Sequence, residues 1–117
     1  MSKTTEEKEI AEMLLSLGFQ PHLKGYHFTL AAIMEVRANN TIIYGGITKG
    51  LYPAIAKKFN CKPSHVERAI RHSIECAMST LSPWWKQVFK FMPSTDKPTN
   101  GEFLATVAEM VRLKMVG

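Results

Sequence analysis

Apolar residues recur at helical spacing along most of this chain. Thr4 or Thr5 can cap a first helix, with Glu6, Glu7 and Glu9 at its positive end. Ile10, Met13, Leu14 and Leu17 then share a face, and Gly18 is placed to end the helix. Residues 19–24 are a proline-containing connection. The pattern resumes from Gly25 to about Ala38, burying Tyr26, Leu30, Ile33, Met34 and the stem of Arg37, and Asn39 and Asn40 stop it. Residues 41–44, TIIY, have strand-like composition, but four residues without a visible pairing partner read better as a buried linker.

After Thr48 the helical pattern returns: Leu51, Ile55, Ala56 and Phe59 share a face, with Pro53 in the first turn. Asn60-Cys61-Lys62 forms a turn, and Pro63 suits a first helical position, where its missing N–H costs nothing. From Pro63 to about Thr80, Val66, Ala69, Ile70, Ile74, Ala77 and Met78 build an apolar stripe. Ser64, His65, Glu67, Arg68, Arg71 and His72 are left facing outward. Ser82 can cap a short helix over Pro83–Phe91, and residues 93–98 form a loop. Thr99 and Glu102 make a capping box for a last helix that buries Phe103, Leu104, Val107, Met110, Val111 and Leu113. The expectation is an all-α fold: a single six-helix domain over residues 1–117, with a helix-turn-helix at about 51–80.

Charge sharpens this picture. Residues 49–72 hold six Lys/Arg against one acid, Glu67, so this segment carries +5, the net charge of the whole 117-residue chain. A cationic block interleaved with apolar residues at helical spacing is the footprint of a folded, phosphate-binding element. A chain that is 45% apolar can build one modest core, and no apolar run approaches the roughly 20 residues a membrane span needs. The polar, acid-rich N-terminus is not expected to act as a signal peptide. Two cysteines make no disulfide framework, so a cytoplasmic location is expected.

Residues 53–60, 60–62 and 63–80 supply in order the packed helix, the turn and the groove-entering helix of a helix-turn-helix. His65, Arg68 and His72 recur at i, i+3 and i+7, with Ser64, Glu67 and Arg71 on the adjoining strip. Arg68 can present a fork to guanine O6 and N7, and Glu67 can accept from a cytosine amino group. An acid inside the most basic surface of the chain makes sense as a base reader. Its bland alternative is an i,i+4 pair with Arg71, worth a few tenths of a kcal/mol.

The segment ITKGLYPAIAKKFNCKPSHVERAIRHSIE strongly resembles the DNA-binding output domain of stage zero sporulation protein A, the sporulation response regulator. GFQPHLKGY and KPTNGEFLATVAEMVRLK extend the resemblance over nearly the entire chain. The resemblance implies a six-helix fold and sequence-specific binding of double-stranded DNA. It also implies transcriptional control through contact with RNA polymerase, and the candidate protein partners are the polymerase sigma subunit and a second copy of the chain in a homodimer on DNA. Ser64, Glu67, Arg68, Arg71 and His72 match the family's recognition helix, where Glu67 and Arg68 would read bases. Our expected base readers are Ser64, His65, Glu67, Arg68 and His72, and the expected phosphate contacts are Lys49, Lys58, Lys62 and Arg71. At His65 the family usually carries Arg. The family's phosphate-accepting receiver domain is not expected within residues 1–117, and residues 79–92 fit poorly to the family stretch associated with polymerase contact.

Other constellations carry less. Cys61, His65, His72 and Cys76 lack the close-spaced cysteine pair of usual zinc sites, so no metal is expected, and Cys76 reads as a small buried hydrophobe. GGITKG lacks phosphate-loop spacing. His22 and His27 read as surface histidines. Adjacent Trp84 and Trp85 cannot share one narrow stripe, so one is core and the other marks a partner surface, for which Trp84, Trp85 and Phe89 are the candidates. No nucleophile–base pair or cofactor fingerprint appears, so neither catalysis, a cofactor nor a small-molecule substrate is expected. The alternative function is a receiver-less paralogue that acts as a protein-interaction module and modulates the full-length regulator. Salt titration separates the two. Duplex affinity should fall steeply with salt, each neutralised phosphate contributing about −0.9 to the slope of log K against log[salt]. A flat slope would favour the protein-interaction reading.

Overall fold

The computed structural model describes residues 3–39, 42, 46–90 and 97–116, and the elements assigned among these residues are six α-helices and one π-helical turn. They are α1 (Lys3–Ser16), α2 (Lys24–Ala38), the π-turn (Ile47–Leu51), α3 (Tyr52–Lys58), α4 (Pro63–Met78), α5 (Trp85–Phe89) and α6 (Asn100–Val116). The fold class is all-α, as the periodicity implies. α1 buries Ile10 and Leu14, and Leu17 is buried just past its end, where Gly18 takes φ +101°, a left-handed conformation suited to glycine.

Helix α2 is the hub, packing against α1, α3, α4 and α6. Its buried face holds Tyr26 and Ile33 as expected. Phe28, Thr29, Ala32 and Val36 are buried as well, whereas Leu30 and Met34 are only half-buried. A helix with neighbours on several sides buries a wider arc than a single stripe suggests. Its closest approach is to α4. A Cβ added at Gly25 would lie 1.8 Å from Ser73 Oγ and 2.4 Å from the Ala69 carbonyl oxygen, so only glycine fits at this crossing. This explains why Ser73, which breaks the apolar stripe of α4, is nonetheless buried.

The helical pattern before Pro53 begins in the π-turn, with Leu51 fully buried at its end, and Pro53 sits within the first turn of α3. The expected buried linker at 41–44 lies outside the described residues except for Ile42, which is partly buried against the core. Residues 93–96 of the expected loop also lie outside them. α4 ends at Met78 rather than near Thr80, and α5 begins at Trp85. Pro83 and Trp84 form a turn instead, in which the Ser82 hydroxyl accepts the Trp84 N–H (3.3 Å) and donates to the Ser16 carbonyl (2.6 Å). α6 starts with the full capping box: Thr99 N–H donates to Glu102 Oε1 (3.0 Å) and Glu102 N–H to Thr99 Oγ1 (3.1 Å). Phe103, fully buried, stacks on Phe19 at 5.5 Å and meets Trp85 at 5.6 Å, which locks α6 to α5 and the α1–α2 connection.

Gly25→Ala tests the α2–α4 crossing. The added methyl meets backbone as well as the Ser73 hydroxyl, so overpacking should cost about 1–3 kcal/mol. Urea denaturation measures it, and an unchanged midpoint would show that the two helices can separate freely.

Candidate nucleic-acid interface

The short α3 is followed by Phe59–Lys62, where the chain turns and α4 begins. Asn60 takes φ +54°, a left-handed conformation that asparagine tolerates better than most residues. Cys61 N–H closes the turn on the Ala56 carbonyl at 3.0 Å. Ile55 and Ala56 of α3 and Val66 and Ile70 of α4 are buried together, and the two helices pack directly. Helix, turn and helix thus follow in the order a helix-turn-helix requires. Phe59 departs from expectation. It is 43% exposed, because it lies past the last residue of α3, and it meets Phe28 edge-on at 5.0 Å.

Along α4 the buried residues are Val66, Ile70, Ser73, Ile74 and Ala77, while Ser64, His65, Arg68, Arg71 and His72 are exposed. Lys62 and Lys49 are also exposed, one directly before α4 and the other in the π-turn. Ser64, His65, Arg68 and His72 share the outward side of the first three turns. His65 also leans edge-on toward Phe28, with ring centres 5.9 Å apart. Its neighbours line a cavity of about 350 Å³ that includes Lys24, His27, Asn60 and Cys61.

Four expected residues have side-chain partners: Glu67 and Arg71 with each other, Lys58 and His72 with other groups. Glu67 Oε1 lies 3.1 Å from Arg71 Nη1, the i,i+4 pair foreseen as the bland alternative for this acid. With both side chains partly exposed, this pair adds little stability. Lys58 donates to Glu35 Oε1 at 2.8 Å and so turns toward α2 rather than alongside Lys62. His72 Nε2 lies 3.4 Å from Cys76 Sγ, which makes Cys76 a half-buried hydrogen-bonding partner rather than a core hydrophobe.

Two residues beside this surface escape a pattern reading. Asn100, the first residue of α6, donates from Nδ2 to both Tyr52 Oη (2.9 Å) and the Glu67 carbonyl (3.0 Å). Tyr52 is buried, and that burial is the main reason its phenol pKa is raised above the usual value. Nearby, the Lys97 ammonium bonds the Glu75 carboxylate and holds its pKa below the usual range. The capping box and the KPTN segment were visible in the sequence, but the contacts of Asn100 join residues 33 and 48 positions away, which no local pattern reveals.

The matching family model is "Sporulation initiation factor Spo0A C terminal", over residues 10–111. The chain belongs to this family. It is thereby a DNA-binding output domain of the sporulation regulator type, with double-stranded DNA as the family's partner, and the family is one of regulatory domains rather than enzymes. The match spans every helix that forms the surface above. Among the described residues, no group of three or more His, Cys, Asp or Glu is placed to hold a metal ion, and no helix is long and apolar enough to cross a membrane.

The aromatic pair divides cleanly. Trp85 is 5% exposed and donates from Nε1 to the Leu17 carbonyl at 2.9 Å, so it is removed from the expected partner surface; Phe89 is partly buried against the core. Trp84 is 56% exposed, lies near Leu81 (85% exposed) and borders a groove lined by Met13, Val88 and Met110. Trp85→Ala should destabilise the fold by about 3–5 kcal/mol, whereas Trp84→Ala should stay within about 0.5 kcal/mol. Equal losses in thermal or chemical denaturation would overturn this division.

Proposed function

We propose that the chain is a sequence-specific duplex-DNA reader whose α4 enters the major groove with its N-terminal half. The observation that carries this reading is the division of α4 itself. One face is buried through Val66, Ile70 and Ile74, and the other presents Ser64, His65, Arg68 and His72 to solvent directly after a four-residue turn. On this reading Arg68 reads guanine bidentately, and Glu67 accepts from a cytosine amino group after loosening its pair with Arg71. Ser64, His65 and His72 complete the base-facing side. Lys49, Lys62 and Arg71 hold phosphates, and Lys58 joins them by exchanging Glu35 for a phosphate oxygen. The domain acts in the cytoplasm on transcription, and the family membership makes the polymerase sigma subunit and a second copy on adjacent DNA its proposed protein partners.

Selection on random duplex DNA, repeated at two salt concentrations, tests this. One site should emerge that is bound at least about 10³-fold tighter than random sequence. Arg68→Ala should then flatten the preference at one position by about 1–3 kcal/mol, and Lys62→Ala should weaken all sequences alike. Equal loss of specific and random-sequence affinity in Arg68→Ala would remove it as a base reader.

A further inference from the structure

We propose that Asn100 is a positioning residue for DNA reading, setting the aim of Glu67 and Arg68 from outside the helix-turn-helix. The inference rests on the base-reading role proposed above for those two side chains. A side-chain amide nitrogen carries two protons, and at Asn100 both are used: one on Tyr52 Oη at 2.9 Å, the other on the Glu67 carbonyl at 3.0 Å. That carbonyl already faces along the helix toward the N–H four residues on, and its second lone pair takes the amide. One group therefore grips the backbone of α4 at the residue meant to read a base and ties the same point to α3. The buried stripe of α4 sets which face looks outward, but apolar packing is non-directional and tolerates small rotations. A directional bond to the Glu67 backbone does not. Asn100 is itself held in place, because the Thr99–Glu102 capping box fixes the start of α6 on either side of it. One helical turn beyond Arg71, the Lys97 bond to Glu75 fastens the same segment to α4 a second time. Residues 97–100 thus strap the flank of the reading helix, lining one surface cleft with Glu67 and Arg71.

A double-mutant cycle separates aiming from general support. The selected site and a random duplex are titrated with wild type, Asn100→Ala, Glu67→Ala and the double variant, each confirmed folded at the assay temperature by thermal melting. Asn100→Ala should lose about tenfold in the ratio of specific to random-sequence affinity, with random-sequence affinity held within about twofold. In the Glu67→Ala background the same change should cost clearly less than about tenfold, because only Arg68 is left to be aimed. If Asn100→Ala lowers both affinities equally, leaves the ratio intact, or multiplies fully with Glu67→Ala, the positioning role is overturned. Should the alanine chain fail to fold, Asn100→Asp carries the same test. It keeps the volume and suits a helix start but donates neither bond, and the affinity ratio cancels its added charge. A wild type without sequence preference would sink the DNA-reading proposal and this one with it, whereas a selective wild type with an indifferent Asn100 sinks only this one.

Discussion

The fold depends on how closely α2 and α4 can approach at Gly25. α2 touches four other helices, and where it crosses α4 the backbone of Gly25 sits against the Ser73 hydroxyl and the Ala69 carbonyl with no room for a methyl group. Thr29 reinforces the same turn of α2 by donating from its buried hydroxyl to the Gly25 carbonyl at 2.6 Å. Such an approach brings backbone to backbone, so dispersion contacts on either side are made at full depth. α4 is seated on the core by the turn that follows Ser64, His65 and Arg68. Those three side chains are therefore carried on a helix whose depth the core has already set.

Around that seat, directional bonds handle what apolar packing leaves loose. Asn100 and Lys97 hold the Glu67–Glu75 flank of α4, and at its C-terminal end Trp85 Nε1 lies 3.4 Å from the Ala77 carbonyl while donating more closely to Leu17. Ser82 adds a link to the Ser16 carbonyl. These contacts join segments distant in sequence. Each contributes only about 1 kcal/mol net, yet each specifies one geometry among several of similar burial.

The cationic block is less uniform than its sum of +5. Lys58 and Arg71 are engaged with Glu35 and Glu67, whereas among the described residues no acid lies within ion-pair distance of Lys49, Lys62 or Arg68. Of these, Lys62 directly precedes α4, Arg68 stands on its outward side and Lys49 lies in the π-turn. The paired ones can add contacts only by exchanging partners. Surface ion pairs are weak enough to permit that exchange.

The sequence by itself determined the helices, because each carries its own local instructions. Gly18, the Asn60 turn, Pro63 and the Thr99–Glu102 box act within a few residues, and a 3.6-residue period shows whenever one face is buried. It also determined the outward strip of Ser64, His65, Arg68 and His72, since an amphipathic helix declares both faces at once. Tertiary structure decided the rest. Phe28 and Val36 are buried because α2 has neighbours on several sides, and Trp85 rather than Trp84 is core because the Leu17 carbonyl is there to accept its N–H. Glu67 pairs with Arg71, while Lys58 turns to Glu35 because α2 brings that acid within reach. Asn100 meets Tyr52 and Glu67 only once α6 has docked. Periodicity records which face is buried, but not which partner waits there, because the partner's distance along the chain leaves no mark on the local pattern.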